Sequence, residues 1–341
     1  MSLLPWVGLV AGFGGIAYVL TGVVRGYALR RGMLDQPNER SSHANATPRG
    51  GGLAVVAVVT CTALVLGLRG TLAPAPTIAW CVGGALIAAV GFVDDRRGLS
   101  PLARLLAHFA AAVLLLVAAG GLAPLPWPGG PIDLGLIGLV LAVAAVIWSI
   151  NLFNFMDGID GIAASQSAFV TGGATLLVIW HGIPGVQALM AAVVCAASLG
   201  FLAWNWPPAR IFMGDVGSGF LGFAIAVCAV LSLEDGPLTL WTWLVLHGLF
   251  LADATTTLLV RLARGERVYQ AHRLHAYQRL SRRWGSHRAV TLLCWAINLG
   301  WLLPLAALTV AHRNAGVVVA AIALLPLFAG AGILGAGRAE Q

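Results

Sequence analysis

From Gly161 to Ala209 the chain reads GIAASQSAFVTGGATLLVIWHGIPGVQALMAAVVCAASLGFLAWNWPPA, without one Asp, Glu, Lys or Arg. The hydrocarbon core of a bilayer takes a helix of about 20 residues. The stretch therefore holds two such helices, with His181-Gly-Ile-Pro-Gly185 as the turn between them. Lipid offers no partners to backbone N–H and C=O groups, so only helices or closed barrels span it. Long apolar runs without alternating polarity speak for helices. Outward from this pair the chain keeps the same character: its 341 residues are 59% apolar and 10% charged, with a mean hydropathy of +0.88. That composition suits a polytopic membrane protein rather than two soluble domains. The fold class is all-α, one transmembrane domain over residues 1–341.

Apolar runs between charged or Gly/Pro breaks predict eleven spans, at 4–26, 52–68, 74–93, 104–121, 134–151, 163–180, 186–204, 217–233, 238–260, 289–311 and 315–337. The first run lacks a basic leader and a small-residue cleavage site, and reads as a retained span rather than a signal peptide. All twenty basic side chains are Arg. With the N-terminus outside, eighteen of them fall in or beside the loops after odd-numbered spans, and only Arg69 and Arg313 lie opposite. This asymmetry puts those loops and the C-terminus in the cytoplasm. The five cysteines lie singly in apolar runs and are assigned no chemistry.

The same division sorts the polar residues. Five cytoplasmic loops hold nearly every polar cluster: Asp35–Gly52, Asp94–Arg97, Asn151–Gly161, Trp206–Asp215 and Arg261–Arg288. A transporter is expected to carry its polar groups near the midplane; here they sit at helix ends on one face, as an interfacial active site would. Asp94-Asp95 closes the third span, and two adjacent carboxylates resist joint ionisation unless a cation lies near; a solvated helix end beside Arg96 and Arg97 would look the same. Asn151, Asn154 and Asp157 recur every three residues and can share a helix face, with Gly158 and Gly161 beside them. Their oxygens are hard ligands of the kind Mg²⁺ and sugar hydroxyls need, though a membrane-edge turn is also rich in Asn, Asp and Gly. Gly214-Asp-Val-Gly217 precedes the eighth span, where an acid can hold Mg²⁺ while backbone N–H groups meet phosphate, or can simply cap the helix. The basic loop Arg261–Arg288 offers bidentate donors to a pyrophosphate, or anionic-lipid contacts. Asp253 is an intramembrane acid and so a functional candidate. Carboxylates and amides for a divalent metal, with Arg and His for phosphates, point to phosphoryl transfer with one lipid partner.

In order along the chain, Asp35-Gln-Pro-Asn-Glu-Arg-Ser-Ser-His43 with Thr47-Pro-Arg-Gly-Gly-Gly52, Gly91-Phe-Val-Asp-Asp95, Asn151 to Gly161, Phe212-Met-Gly-Asp-Val-Gly-Ser218 and the Asp253–His275 region resemble the polyprenyl-phosphate N-acetylhexosamine-1-phosphate transferase family. The resemblance implies transfer of a sugar-1-phosphate, from N-acetylglucosamine or a 6-deoxy relative, from a UDP-sugar to undecaprenyl phosphate. UMP is released and a lipid-linked surface glycan begun, with Mg²⁺, or Mn²⁺ in its place, as cofactor. It implies Asp215 as principal metal ligand with Asn154 assisting, and Asn151, Asp157, Asp160 and Phe212 on the donor, Phe212 stacking on uracil. It also implies Asp94 and Asp95 where the lipid phosphate attacks, Arg104 in place of a family lysine, and Arg273 and His275 at the pyrophosphate or sugar. Many members end the basic loop with Asp-Arg-x-His-Leu-His-His, whereas this chain has His272-Arg-Leu-His-Ala-Tyr-Gln278. That departure resembles the O-antigen-initiating branch more than the peptidoglycan one. The partners implied are the UDP-sugar, the polyprenyl phosphate and membrane lipids, with no nucleic acid and with a homodimer compatible. A multispan transporter of a nucleotide-sugar or lipid is the competing reading, and a ping-pong route through an aspartyl-phosphate is the competing mechanism.

Overall fold

The computed structural model describes residues 4–36, 46–233, 236–267 and 272–339. Most of the Asp35–His43 motif therefore lies outside the described residues. In chain order the elements are α1 (Leu4–Arg30), the two-residue strands β1 (Leu34–Asp35) and β2 (Thr47–Pro48), α2 (Gly52–Leu68), then α3 (Pro74–Ile78) running through a π-helical turn into α4 (Gly84–Arg97). Next come α5 (Pro101–Ala119), α6 (Gly135–Met156), α7 (Ile162–Trp180), α8 (Val186–Asn205) and α9 (Asp215–Ser232). The chain closes with α10 (Leu240–Leu246), α11 (Gly248–Ala263), α12 (Ala276–Trp284), α13 (His287–Ile297) joined by a second π-helical turn to α14 (Leu303–Ala311), and α15 (Gly316–Ile333). Among the described residues nine helical segments are long and apolar enough to cross a membrane, ten when α10 and α11 count as one span; α2 is a shorter apolar helix. Each of the eleven expected spans coincides with one of these elements, and the protein is an all-α, multi-pass membrane protein.

The charge-free stretch is the centre of the molecule. The apolar windows of α7, α8 and α9 are 89%, 72% and 83% buried, against 11% for α1 and 22% for α15. Helices that are apolar all round either form an interior or face lipid, and here the pair that carries Gln166, Ser167, Thr171 and Ser198 lies inside. Close approach depends on small residues, as lipid-embedded helices require. Gly52 of α2 lies against Gly217 of α9, and Gly91 of α4 against the backbone of Asp215 and Val216, where any Cβ would collide.

Two features depart from the sequence-based expectation. The span over 238–260 is bent by 78° between α10 and α11. The break frees backbone groups in the buried interior, and the Leu246 carbonyl is satisfied by Gln166 Nε2 at 3.2 Å, itself held by Asn298 Nδ2 on Oε1 at 2.7 Å. A hydropathy reading sees only an unbroken apolar run. The second departure is α12, a short helix inside the stretch Arg261–Arg288 that the sequence predicts as a basic loop.

Candidate active site

A helix N-terminus exposes orphan N–H groups and a partial positive charge. The α9 start has both, because Gly214 turns the chain at φ +76° just ahead of Asp215. The cap comes from another span. Asp95, on the last turn of α4, accepts Asp215 N on Oδ1 at 3.0 Å and Val216 N on Oδ2 at 3.2 Å. Gly91, one turn earlier, allows the approach. Arg49, just after β2, then closes the group: its Nη2 lies 2.7 Å from Asp95 Oδ1 and 3.3 Å from Asp215 Oδ1. A Cβ at position 214 would sit 2.7 Å from Asp95 Oδ2 and 3.4 Å from Arg49 Cγ, so the site needs glycine there for space as well as for φ.

The adjacent carboxylates are separated by giving each its own arginine. Asp94 turns to Arg104 Nη1 at 2.9 Å and accepts Leu99 N at 2.5 Å, fastening α4 to the start of α5. Ser100 caps that start by accepting Ala103 N at 3.2 Å, with Pro101 at the first helical position. Asp94, Asp95, Arg104 and Asp215 thus converge at neighbouring helix ends.

Asp157 follows the last turn of α6 as its C-terminal cap residue. Burial, and next the negative charge of Asp215, push its carboxyl well above the usual carboxylate range. It shares the electrostatic neighbourhood of Asp215, Asp95 and Arg49. Asn154, one turn earlier, is half-buried. Asn151 is turned elsewhere, donating from Nδ2 to Ile147 O at 2.8 Å and facing His108 Nδ1 at 3.3 Å. Asp160 works as a fastener: its Oδ2 accepts Ala209 N at 3.0 Å, His287 Nδ1 lies 3.3 Å away, and Thr291 donates to its carbonyl at 3.1 Å. Phe212 is half-buried and bridges to β2, its N–H bonded to Pro48 O at 2.8 Å and its carbonyl to Gly51 N at 2.9 Å. This puts Phe212 beside Arg49.

The basic loop is organised by Asp253. Its Oδ1 accepts Ala276 N and its Oδ2 Tyr277 N, both at 2.9 Å, which caps α12 from α11. His275 is 3% exposed, with Nδ1 3.2 Å from Asp253 Oδ1. The His272 ring stacks on it at 4.9 Å, and burial lowers the His272 pKa to about 4. Arg273 is half-buried, its carbonyl accepting Arg282 Nη2 at 3.1 Å. Tyr277, where many family members have histidine, donates its hydroxyl to Phe155 O at 3.1 Å and lies against Gly158, which ties α12 to the α6 end.

Three site-forming residues stand outside the sequence-based set. Arg49 lay inside the quoted Thr47–Gly52 stretch, and its charge beside a glycine run was a usable signal. Asn205, 3% exposed, accepts Gly161 N on Oδ1 and donates to Ile211 O, each at 2.9 Å, joining two site loops. No spacing marks it. Tyr277 carried only the departure itself.

Among the described residues no three His, Cys, Asp or Glu side chains form a group that could hold a metal ion. Mg²⁺ is commonly held by one or two carboxylates together with substrate phosphates rather than by an all-protein cage. Asp215, its Oδ1 directed at a cation beside Asp95, fits that mode.

The model of the family described as glycosyl transferase family 4 matches residues 77–233, the part that carries Asp94, Asp95, Asp157 and Asp215. The chain is 29% identical to a "Probable undecaprenyl-phosphate N-acetylglucosaminyl 1-phosphate transferase" of Bacillus subtilis, over 91% of this chain and 86% of that protein. It is 31% identical to a "Decaprenyl-phosphate N-acetylglucosaminephosphotransferase" of Mycolicibacterium smegmatis (86% and 79%). It is 33% identical to a "Phospho-N-acetylmuramoyl-pentapeptide-transferase" of a Synechococcus strain (82% and 81%). With relatives above 30% identity over most of both chains, and with the acidic loops gathered at neighbouring helix ends, the chain belongs to glycosyl transferase family 4, the polyprenyl-phosphate N-acetylhexosamine-1-phosphate transferases.

Proposed function

We propose that this protein transfers N-acetylglucosamine-1-phosphate, or that of a 6-deoxy relative, from its UDP-sugar to undecaprenyl phosphate at the cytoplasmic face of a bacterial plasma membrane, releasing UMP. The observation that carries the reading is the junction of Arg49, Asp95 and Asp215 at the α9 N-terminus, with Asp94–Arg104 beside it. Two of the three relatives quoted are named for N-acetylglucosamine and one for N-acetylmuramoyl-pentapeptide; the names give the O-antigen branch no support. The arginine asymmetry supports an outside N-terminus and a cytoplasmic site.

In the proposed reaction an oxygen of the lipid phosphate attacks the β-phosphorus of the donor, and the bond to the UMP oxygen breaks. A phosphate monoester has a second pKa near 6, so at pH 7 the nucleophile is largely dianionic and needs no general base. Asp94 and Asp95 suit that role of positioning, since each is already engaged by an arginine and by backbone N–H groups. Asp215, with Asn154 assisting, would hold Mg²⁺, which when bound spreads the charge of the pyrophosphate. Asp157 and Phe212 would receive the uridine, Phe212 by stacking; Asp160 and Asn205 shape that pocket through the backbone. Arg273 would meet the pyrophosphate or sugar, with His275 positioned behind it by Asp253.

Purified protein in detergent, supplied with undecaprenyl phosphate, Mg²⁺ and a panel of UDP-N-acetylhexosamines and their 6-deoxy derivatives, is expected to release UMP with UDP-N-acetylglucosamine or its 6-deoxy relative. No UMP from any donor would sink the reading and favour a transporter. UMP release without lipid would replace direct displacement by an aspartyl-phosphate route.

A further inference from the structure

One nitrogen of Arg49 serves two carboxylates that belong to different helices. Nη2 alone lies within ion-pair distance of Asp95 Oδ1, at 2.7 Å, and of Asp215 Oδ1, at 3.3 Å. That is a position a bridging cation would take. The stem is anchored: Arg49 N donates to Met33 O at 3.2 Å, and the residue pairs across a bridge with Phe212. The head is not enclosed, since 36% of the side chain is exposed against 10% for Asp95. By contrast Arg104 serves one carboxylate, Asp94. A guanidinium cannot be deprotonated at any relevant pH, so only movement can remove this charge.

Resting on the proposed function, we propose that Arg49 is a built-in placeholder cation. It holds Asp95 and Asp215 together in the unloaded enzyme, competes with the divalent metal for Asp215, and passes to the donor's diphosphate oxygens when the metal enters. Two carboxylates at one helix start repel, and a point charge between them removes that repulsion before any ligand arrives. With a divalent ion on Asp215, the guanidinium would face a like charge. Its planar fork then matches the two phosphate oxygens presented nearby. The anchored stem beside Phe212 keeps the head within the donor site throughout.

The test is titration calorimetry with Mn²⁺ on wild type, Arg49→Gln and Arg49→Lys in detergent without substrate, repeated with UDP present. Loss of the competing charge is expected to tighten Mn²⁺ binding by Arg49→Gln at least about tenfold. Without metal this variant should melt below wild type, and Mn²⁺ should restore the difference. UDP should sharpen Mn²⁺ binding in wild type and do so less in Arg49→Gln. Arg49→Lys, a point charge without the fork, is expected to fall between. Equal or weaker Mn²⁺ binding by folded Arg49→Gln overturns the inference; where that variant does not fold, equal or weaker binding by Arg49→Met, which also removes the charge, does so. The functional reading fails separately, by absence of UMP release from wild type with any donor, and that result leaves the Mn²⁺ comparison intact.

Discussion

Two helices in this protein begin under an aspartate lent by a neighbouring span, and they are finished in opposite ways. At α9, Asp95 accepts Asp215 N and Val216 N; at α12, Asp253 accepts Ala276 N and Tyr277 N. Each carboxylate answers two orphan donors and a helix dipole. Around Asp253 the remaining side-chain hydrogen bonds among the described residues go to Thr257 and His275, themselves buried. Around Asp95 the remaining contacts are Arg49, 36% exposed, and beside it Asp215, 26% exposed. One junction is closed as a lock. The other is left accessible, with a cation that can be exchanged.

The comparison can be broken by exchanging acid for amide on each side. Asp215→Asn keeps the shape of α9 and removes one charge. UMP release is expected to fall at least about a thousandfold, on the order of 4 kcal/mol of transition-state stabilisation, with melting little changed. Full activity would overturn the metal assignment. Asp253→Asn sets an NH₂ donor against a backbone N–H, leaving at least one buried donor unsatisfied at a cost of about 1–3 kcal/mol. The expected result is a melting temperature lower by several degrees, with activity falling through the displaced loop. Should Asp253→Asn melt like wild type, the lock would be an ordinary solvated cap.

Much of this was legible beforehand, and the unread part has physical causes. The spans, the helical class and the gathering of acids on one face follow from transfer energies and charge placement, which are properties of local sequence. The bend at His247 was not legible, because it depends on Gln166 and Asn298, residues of two other helices that supply the missing partner. The pairing of Asp94 with Arg104 and of Asp95 with Arg49 is likewise tertiary: Arg96 and Arg97, in the last turn of α4, are nearer in sequence, yet Arg96 covers the Phe92 ring at 4.2 Å. Asn205 looks like any polar residue at a helix end. His275, which its motif position places at the pyrophosphate or sugar, has Nδ1 3.2 Å from Asp253 Oδ1, a contact that no spacing in the sequence predicts.

A smaller effect tests the strut between the two junctions. Tyr277 starts at the lock and ends, through its hydroxyl, on Phe155 O near the open site. Tyr277→Phe removes one hydrogen bond, worth about 1 kcal/mol. A rise of a few-fold in KM for the UDP-sugar is expected, with kcat nearly held. An equal fall in kcat and unchanged KM would place Tyr277 in the chemistry instead.

The smallest expected effect is a slope with pH, and it reports whether the open site's charge reaches Asp157. Burial and the Asp215 charge raise the Asp157 pKa well above its ordinary 3.8. A raised folded pKa means that the unfolded chain releases its proton first. This group's contribution to stability is therefore complete below about pH 4, and it declines as pH rises toward the folded pKa. Metal-free wild type should lose thermal stability over that rising window, and Asp157→Asn, with nothing to ionise, should show a flatter profile. Burial also raises Asp215, to about 6, so Asp215→Asn flattens the profile by its own loss, and the coupling is read from the double variant. Removing the Asp215 charge leaves burial as the first cause at Asp157, so Asp157→Asn should change the slope less in the Asp215→Asn background than in wild type. An equal change in both backgrounds would mean that burial alone sets the Asp157 pKa and that the two aspartates do not share one electrostatic site.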